Sequence, residues 1–157
     1  MIGVTGTNGK TTTTHIIREI FNRAGRPAGV IGTLHILIGD REIPVKNTTP
    51  DVLDLQATLA DMVESGMKYA VMEVSSHALA LGRVLGCEYD AAIFTNITQD
   101  HLDFHHTLEN YREAKALLFR ELGLPGSAKG NKSAIANMDD AAGSFMLDQS
   151  SVRKISY

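Results

Sequence analysis

Four sets of side chains in this 157-residue sequence have the types and spacing to do chemistry, and the densest comes first. Gly6-Thr7-Asn8-Gly9-Lys10-Thr11-Thr12 follows a short apolar run. Its glycines permit tight turns that aim backbone N–H groups at a polyphosphate. Lys10 has the reach for the terminal phosphates, and the Thr11 hydroxyl is placed to ligate Mg²⁺. A helix should open there with its positive end toward the anion. The loop is a variant: five residues before Gly9 stands Val4, and Gly3 is one position too early for the strict G-x-x-x-x-G-K-[ST] spacing. The plainer alternative is a glycine-rich strand-to-helix turn with an incidental lysine.

The second set is Glu73 with the residues after it. It ends an apolar run, Tyr69-Ala-Val-Met-Glu-Val74, that reads as a buried strand. A buried carboxylate needs a cation or a set of donors, so Glu73 is either a Mg²⁺ ligand facing the loop or an outward residue at a strand edge. Ser75, Ser76 and His77 fall at the carboxyl end of that strand, where open α/β sheets bind ligands. No G-x-S-x-G elbow surrounds the serines, which disfavours a hydrolase.

The third set, Asn96-Ile-Thr-Gln-Asp-His-Leu-Asp-Phe-His-His106, is dense in metal-capable groups. The spacing of His101 and His105 raises zinc. Without H-E-x-x-H and with Cys87 as the single cysteine, a histidine beside a Mg²⁺-nucleotide is the more economical role. The fourth set is Lys115. It falls on the apolar stripe Tyr111, Ala114, Leu118, Leu122 of a helix expected over 108–122. Its amine either snorkels to solvent or has a lowered pKa and pairs with phosphate or reacts covalently. Arg83 is a surface ion-pair former or a carboxylate clamp. Thr48 and Thr49 lie in a polar turn, Asn47 to Asp51, where they could simply cap the next helix.

The elements that position these groups alternate between strands and helices. A first helix carries Ile16, Ile17, Ile20 and Phe21, with Arg18, Glu19 and Asn22 opposite, and stops at Gly25. A strand over 28–33 leads into a hairpin over 34–45 whose second arm Pro44 assigns to an edge. A second helix carries Val52, Leu55, Leu59, Met62 and Val63, and helical segments follow at 78–85 and 108–122, with a strand at 91–95 between them. After a loop over 123–132 come a strand at 133–137, a helix at 139–147 and a strand at 152–155. This alternation predicts one α/β domain with a mainly parallel sheet flanked by helices and a small inserted β-hairpin.

A 43% hydrophobic content over this length supplies one full core, and a net charge of −3 argues against nucleic acid or membrane as partners. With one cysteine, no membrane-length apolar run and no signal peptide, a cytoplasmic location is expected. Only Met1 to Val4 precede the loop, shorter than a usual strand, so the chain is expected to be one domain of a longer protein. No feature specifies an oligomer.

Taken together, Gly6 to Thr12, Asn47-Thr-Thr-Pro50, Glu73-Val-Ser-Ser-His77, Thr95-Asn96, Asp100-His-Leu-Asp103 and the Tyr111-to-Lys115 helix resemble the central ATPase domain of the Mur ligases, in order and spacing, over essentially all 157 residues. Within that family the run from Glu73 to His77, with Arg83, is most similar to the branch that makes the UDP-N-acetylmuramoyl tripeptide.

The resemblance implies a P-loop-type central domain over 1–157, with UDP-binding N-terminal and amino-acid-binding C-terminal domains outside it. It implies ATP-dependent amide ligation in peptidoglycan synthesis. A diamino acid, meso-diaminopimelate or L-lysine, is joined to UDP-N-acetylmuramoyl-L-alanyl-D-glutamate through an acyl phosphate. Lys10 and the loop from Gly6 to Thr12 would hold ATP, Thr11 and Glu73 one Mg²⁺, and His101 with a carbamylated Lys115 (N6-carboxylysine) a second charge-neutralising site. Lys10, Glu73 and Lys115 are then the catalytic residues. Thr48, Thr49, Ser75 and Arg83 would hold the UDP-linked muramoyl dipeptide. Leu81 departs from the glutamine that some relatives carry there, and His77 receives no chemical step. Folylpolyglutamate and cyanophycin synthetases share similar loops, and without flanking domains the chain would bind nucleotide without ligating.

Overall fold

The computed structural model describes residues 1–122 and 130–157, so most of the expected loop over 123–132 lies outside the described residues. The chain alternates as expected through β1 (Ile2–Thr5), α1 (Lys10–Arg23), β2 (Ala28–Ile31), the hairpin β3 (Ile36–Ile38) and β4 (Arg41–Ile43), and α2 (Val52–Glu64). It continues with β5 (Tyr69–Glu73), α3 (Ser76–Ala80), β6 (Ala91–Phe94), α4 (Leu102–His105) and α5 (Leu108–Leu122). β7 (Ser133–Ala136), α6 (Gly143–Asp148) and β8 (Arg153–Ser156) end it.

One sheet runs in the order β4-β3-β2-β5-β1-β6-β7-β8. Strands β2, β5, β1, β6, β7 and β8 are parallel, whereas β3 and β4 fold back antiparallel on the β2 side. The central strands are nearly continuous apolar runs because helices cover both faces. Val4, Val30, Val71 and Ile93 line one face with Ile17 of α1 packed on them. Met72, Ala92 and Phe94 belong to the larger cluster with Leu118, Phe119 and Leu122 of α5.

Strand order brings function to one place. The chain leaves β1 for β2, returns to insert β5 beside β1, then crosses to β6 on the other side. The carboxyl ends of β1, β5 and β6 thus form a topological switch point, and the loops carrying Lys10, Ser75 and His101 all start there.

Several helices differ from the periodicity. In α1, Ile16 and Ile20 are exposed, while Thr14 is buried and Phe21 stacks on Tyr69 at 4.3 Å between ring centroids. The phosphate loop pins the first turn and turns the 10, 14, 17, 21 face inward. Arg18 and Asn22 tie α1 to β2 instead of facing water: Arg18 Nε donates to Ala28 O at 3.2 Å, and Ala28 N donates to Asn22 Oδ1 at 2.9 Å. On α2, Leu55 and Met62 are buried but Val52 and Val63 are exposed. Helix α3 stops at Ala80 because Gly82, at φ 68°, turns the chain and Arg83 N donates back to Ala78 O. Helix α6 starts four residues late because Asp140 accepts from Ala142 N at 2.8 Å and holds a turn there. Among the described residues no helix is long and apolar enough to cross a membrane.

Candidate active site

The glycine loop leaves no room for a side chain at Gly6. Gly6 has φ 146°, and a Cβ there would lie 1.9 Å from Thr95 Oγ1. Gly9 has φ 84° and opens α1 from the left-handed region. The loop is held from β6: Thr7 N donates to Asn96 O at 2.8 Å, and the Asn96 side chain reads both polar atoms of the Asn8 peptide, accepting from N and donating to O at 3.0 Å each. Thr95 Oγ1 adds a 2.7 Å bond to Asn8 O. From sequence alone Asn96 had no role of its own.

Lys10 folds over this loop, donating to Gly6 O at 2.9 Å and Thr7 O at 2.8 Å. Burial lowers its pKa, with Glu73 and Asp100 opposing. Thr11 lies one residue on, on the side of Glu73, and Thr12 is exposed on the same turn.

Glu73 faces inward, in an interior strand, which removes the edge alternative. It pairs with Val4 in register and shares the α1 face with Val71 two residues back, so strand alternation alone aims it at Thr11. The carboxylate is 1% exposed. Thr11 Oγ1 lies 2.9 and 3.0 Å from its two oxygens, Thr33 N donates at 2.9 Å and Thr33 Oγ1 at 3.0 Å. A Cβ on Gly32 would stand 2.3 Å from Oε1. Hard oxygen donors from Glu73 and Thr11, adjacent at the mouth of the loop, fit a Mg²⁺ ion bound with a polyphosphate. Sequence reasoning missed Thr33 and Gly32. Their one signal was that they follow a buried parallel strand.

Lys115 is also 1% exposed. Its amine donates to Gly6 O at 2.9 Å, the carbonyl that Lys10 uses, and sits 4.2 Å from the centre of the Tyr111 ring. Burial and the nearby Lys10 lower its pKa to about 7. The snorkelling alternative therefore fails. His101 also packs on Tyr111, at 5.9 Å between ring centroids, on a backbone with φ 52°. Among the described residues no three His, Cys, Asp or Glu side chains converge on a metal-sized centre. A cation held by His101 would need oxygens from elsewhere, and a carboxylated Lys115 would supply them.

The Thr48–Thr49 turn does not cap α2, whose N-cap is Asp51 without a side-chain cap. Thr49 is buried, donates from Oγ1 to Glu73 O at 2.8 Å and accepts from Ser75 N at 3.1 Å. Thr48 Oγ1 lies 3.1 Å from Thr33 Oγ1. Ser75 Oγ accepts from Ala78 N as the cap of α3, and Arg83 pairs with Asp51 at 2.9 Å. All four residues therefore converge at the end of β5. A groove of about 470 Å³ lined by Val45, Asn47, Pro50 and Asp51 opens beside them. His77 packs on His101 at 4.9 Å and Phe104 at 4.3 Å between ring centroids, and buried His105 meets Ser76 Oγ at 2.9 Å.

Comparison with known proteins fits this geometry. The chain is 53% identical over all 157 residues to a Bacillus velezensis protein named UDP-N-acetylmuramoyl-L-alanyl-D-glutamate–2,6-diaminopimelate ligase, and covers 32% of it. It is 56% identical over 144 residues to the protein of the same name from Lactiplantibacillus plantarum, covering 91% of this chain and 29% of that one. The chain thus spans about a third of the length of these relatives. A solved structure of a ligase of that name superposes with a TM-score of 0.85 at 37% identity, over 99% of this chain and 31% of that one. Escherichia coli FolC shares the fold alone, at a TM-score of 0.66 and 20% identity. The profile described as the Mur ligase middle domain matches residues 4–157, so the chain belongs to the Mur ligase family and spans its middle domain.

Proposed function

We propose that this chain is the ATP-handling domain of a cytoplasmic ligase that joins 2,6-diaminopimelate to UDP-N-acetylmuramoyl-L-alanyl-D-glutamate. The observation that carries the reading is Glu73, buried opposite the phosphate loop and held by Thr11 and Thr33. The named relatives supply the substrates.

In this mechanism the N–H groups of the loop cradle the triphosphate. Lys10, which donates to Gly6 O and Thr7 O at the mouth of the loop, supplies its ammonium to the transferring phosphate. Thr11 and Glu73 would hold Mg²⁺, which when bound would supply positive charge to the phosphates. Thr48, Thr49, Ser75 and Arg83 position the muramoyl dipeptide so that its D-glutamyl carboxylate oxygen lies in line with the terminal phosphorus. An acyl phosphate forms and ADP leaves; the amine of the diamino acid then attacks the acyl carbon and displaces phosphate.

Lys115 contributes after carbamylation. Its neutral amine adds to CO₂, forming an N–C bond and releasing one proton, which turns a poorly paired cation into an anion against the Tyr111 ring that His101 also contacts. A pKa near 7 leaves much of the amine free to react.

The test uses the full-length protein with ATP, Mg²⁺, the UDP-linked dipeptide and one diamino acid at a time. Phosphate release with meso-diaminopimelate and little with L-lysine supports the reading; release with L-lysine alone reassigns the second substrate; release with neither defeats it. The 157-residue chain alone should bind ATP without ligating, because it covers about a third of the relatives' length.

A further inference from the structure

We infer that the hydroxyl of Thr5 is the hydrogen-bond donor that fixes the carbamate formed on Lys115, a positioning role on the face of the sheet away from Glu73. The inference rests on the carbamylation of Lys115 proposed above and adds what holds the new group in place.

Thr5 ends β1 and is fully buried, yet its Oγ1 has no hydrogen-bond partner among the described residues. A buried hydroxyl without a partner is costly, and valine fills the same place in a strand without that cost. The hydroxyl therefore calls for an acceptor.

Strand alternation says on which side to look. Val4 clusters with Val71 and Ile93 on the α1 face, where Glu73 also points, so Thr5 points to the α5 face. Register agrees, because Thr5 pairs with Phe94, which packs in one cluster with Leu118, Phe119 and Leu122 of α5. The Thr5 hydroxyl and the Glu73–Thr11 pair thus lie on opposite faces of the sheet.

Helix α5 fixes the level. A Cβ on Gly3 would stand 3.1 Å from Leu118 Cδ1, Lys115 Nζ donates to Gly6 O at 2.9 Å, and Tyr111 OH meets Thr7 Oγ1 at 3.2 Å. Successive turns of α5 therefore climb β1 and its loop from residue 3 to residue 7. Lys115 falls at the level of Thr5 and Gly6.

The surroundings of the amine suit a cation, with one carbonyl and the Tyr111 ring face at 4.2 Å. Neither suits an anion. When the amine adds to CO₂, an N–C bond replaces one C=O π bond and a proton leaves to water. The nitrogen keeps one N–H for Gly6 O, and two oxygens appear that need donors. Tyr89 OH is the other buried hydroxyl without a partner among the described residues, but it belongs to the far end of β1, where the Tyr89 ring packs on Gly3. Thr5 is the uncommitted donor at the right level. Its β-branch restricts χ1, so the hydroxyl is presented in a preset direction.

The experiment titrates ¹³C-labelled bicarbonate, as the source of CO₂, into the 157-residue chain with Mg²⁺ and follows the carbamate carbon by NMR. Lys115→Ala is the blank that assigns the signal. Thr5→Val keeps the shape and removes the donor, and half-occupancy should then need about tenfold more CO₂, the scale of one hydrogen bond to a charged group. Thr5→Ser keeps the donor and should stay within about threefold of wild type. In CO₂-free buffer Thr5→Val should unfold at the same denaturant midpoint as wild type or a higher one, which also reports that it folds. A lower midpoint would make the hydroxyl structural and overturn the inference. Equal CO₂ dependence in wild type and Thr5→Val, or equal weakening in Thr5→Val and Thr5→Ser, would overturn it and leave carbamylation standing. Absence of a Lys115-dependent signal in wild type would overturn carbamylation, and the inference with it.

Discussion

Glu73 and Lys115 are buried to the same degree, 1% exposed each, yet the fold treats them in opposite ways. Glu73 is surrounded by donors arranged for an anion, two hydroxyls and a backbone N–H, with Gly32 kept bare to make room. Lys115 has one carbonyl, shared with a second lysine, and the face of a tyrosine ring. The first pocket keeps a charged group in place at no cost in unpaired atoms. The second presses an amine toward its neutral form, where it can react. One half of the site is thus preorganised, and the other is poised for a covalent change.

The contrast can be broken first at Lys115. In the full-length enzyme, Lys115→Ala should lower ligation by on the order of 100-fold to 1,000-fold, the scale of losing a charge-stabilising group, and short carboxylic acids should restore part of it. Full activity without rescue would remove the covalent half of the contrast.

A second test reads the same residue through stability. The amine titrates at 10.5 without the fold and at about 7 within it. A lysine with a depressed folded value carries a penalty that is full below about pH 7, shrinks as pH rises, and is gone above about 10.5. Lys115→Met in CO₂-free buffer should therefore raise the melting temperature most at or below neutrality, by a free energy of at most a few kcal/mol, and the gain should fade toward pH 10.5. A gain independent of pH would mean that the amine is not under pressure.

The Glu73 pocket is probed more gently by Thr33→Val, which removes one hydroxyl donor and keeps the backbone N–H. Mg²⁺-ATP affinity should fall about fivefold, corresponding to about 1 kcal/mol for one hydrogen bond. The smallest effect concerns the turn that presents His101. His106 closes it at φ 66° and ψ −38°, a conformation costly for a residue with a Cβ. His106→Gly should stabilise the chain by about 0.5–1 kcal/mol, the relief of strain exceeding glycine's added unfolded-state entropy, as read by denaturant unfolding.

What the sequence disclosed follows the same division between local and distant causes. Lys115 was legible because one lysine on a four-residue apolar stripe is a pattern within a single helix, and α5 spans the expected residues. Glu73 was legible because a carboxylate ending an apolar strand is conspicuous. Thr33 and Gly32 were not, since they reach Glu73 only through the pairing of β2 with β5, 40 residues apart in sequence. The outward turn of Ile16 and Ile20 was hidden too, because the anchored phosphate loop, rather than the helix's own periodicity, sets how α1 is rotated. Helix α4 and the His105–Ser76 bond rest on the packing of α3 against α5, which no short window contains.

The central claim, that Glu73 and the loop form one Mg²⁺-nucleotide site, is tested most directly by titrating ATP into the chain with and without Mg²⁺, in wild type and Glu73→Gln. Wild type should bind with a strong Mg²⁺ dependence, and Glu73→Gln should lose that dependence while still folding. Mg²⁺-dependent binding of equal strength in both proteins would contradict the account.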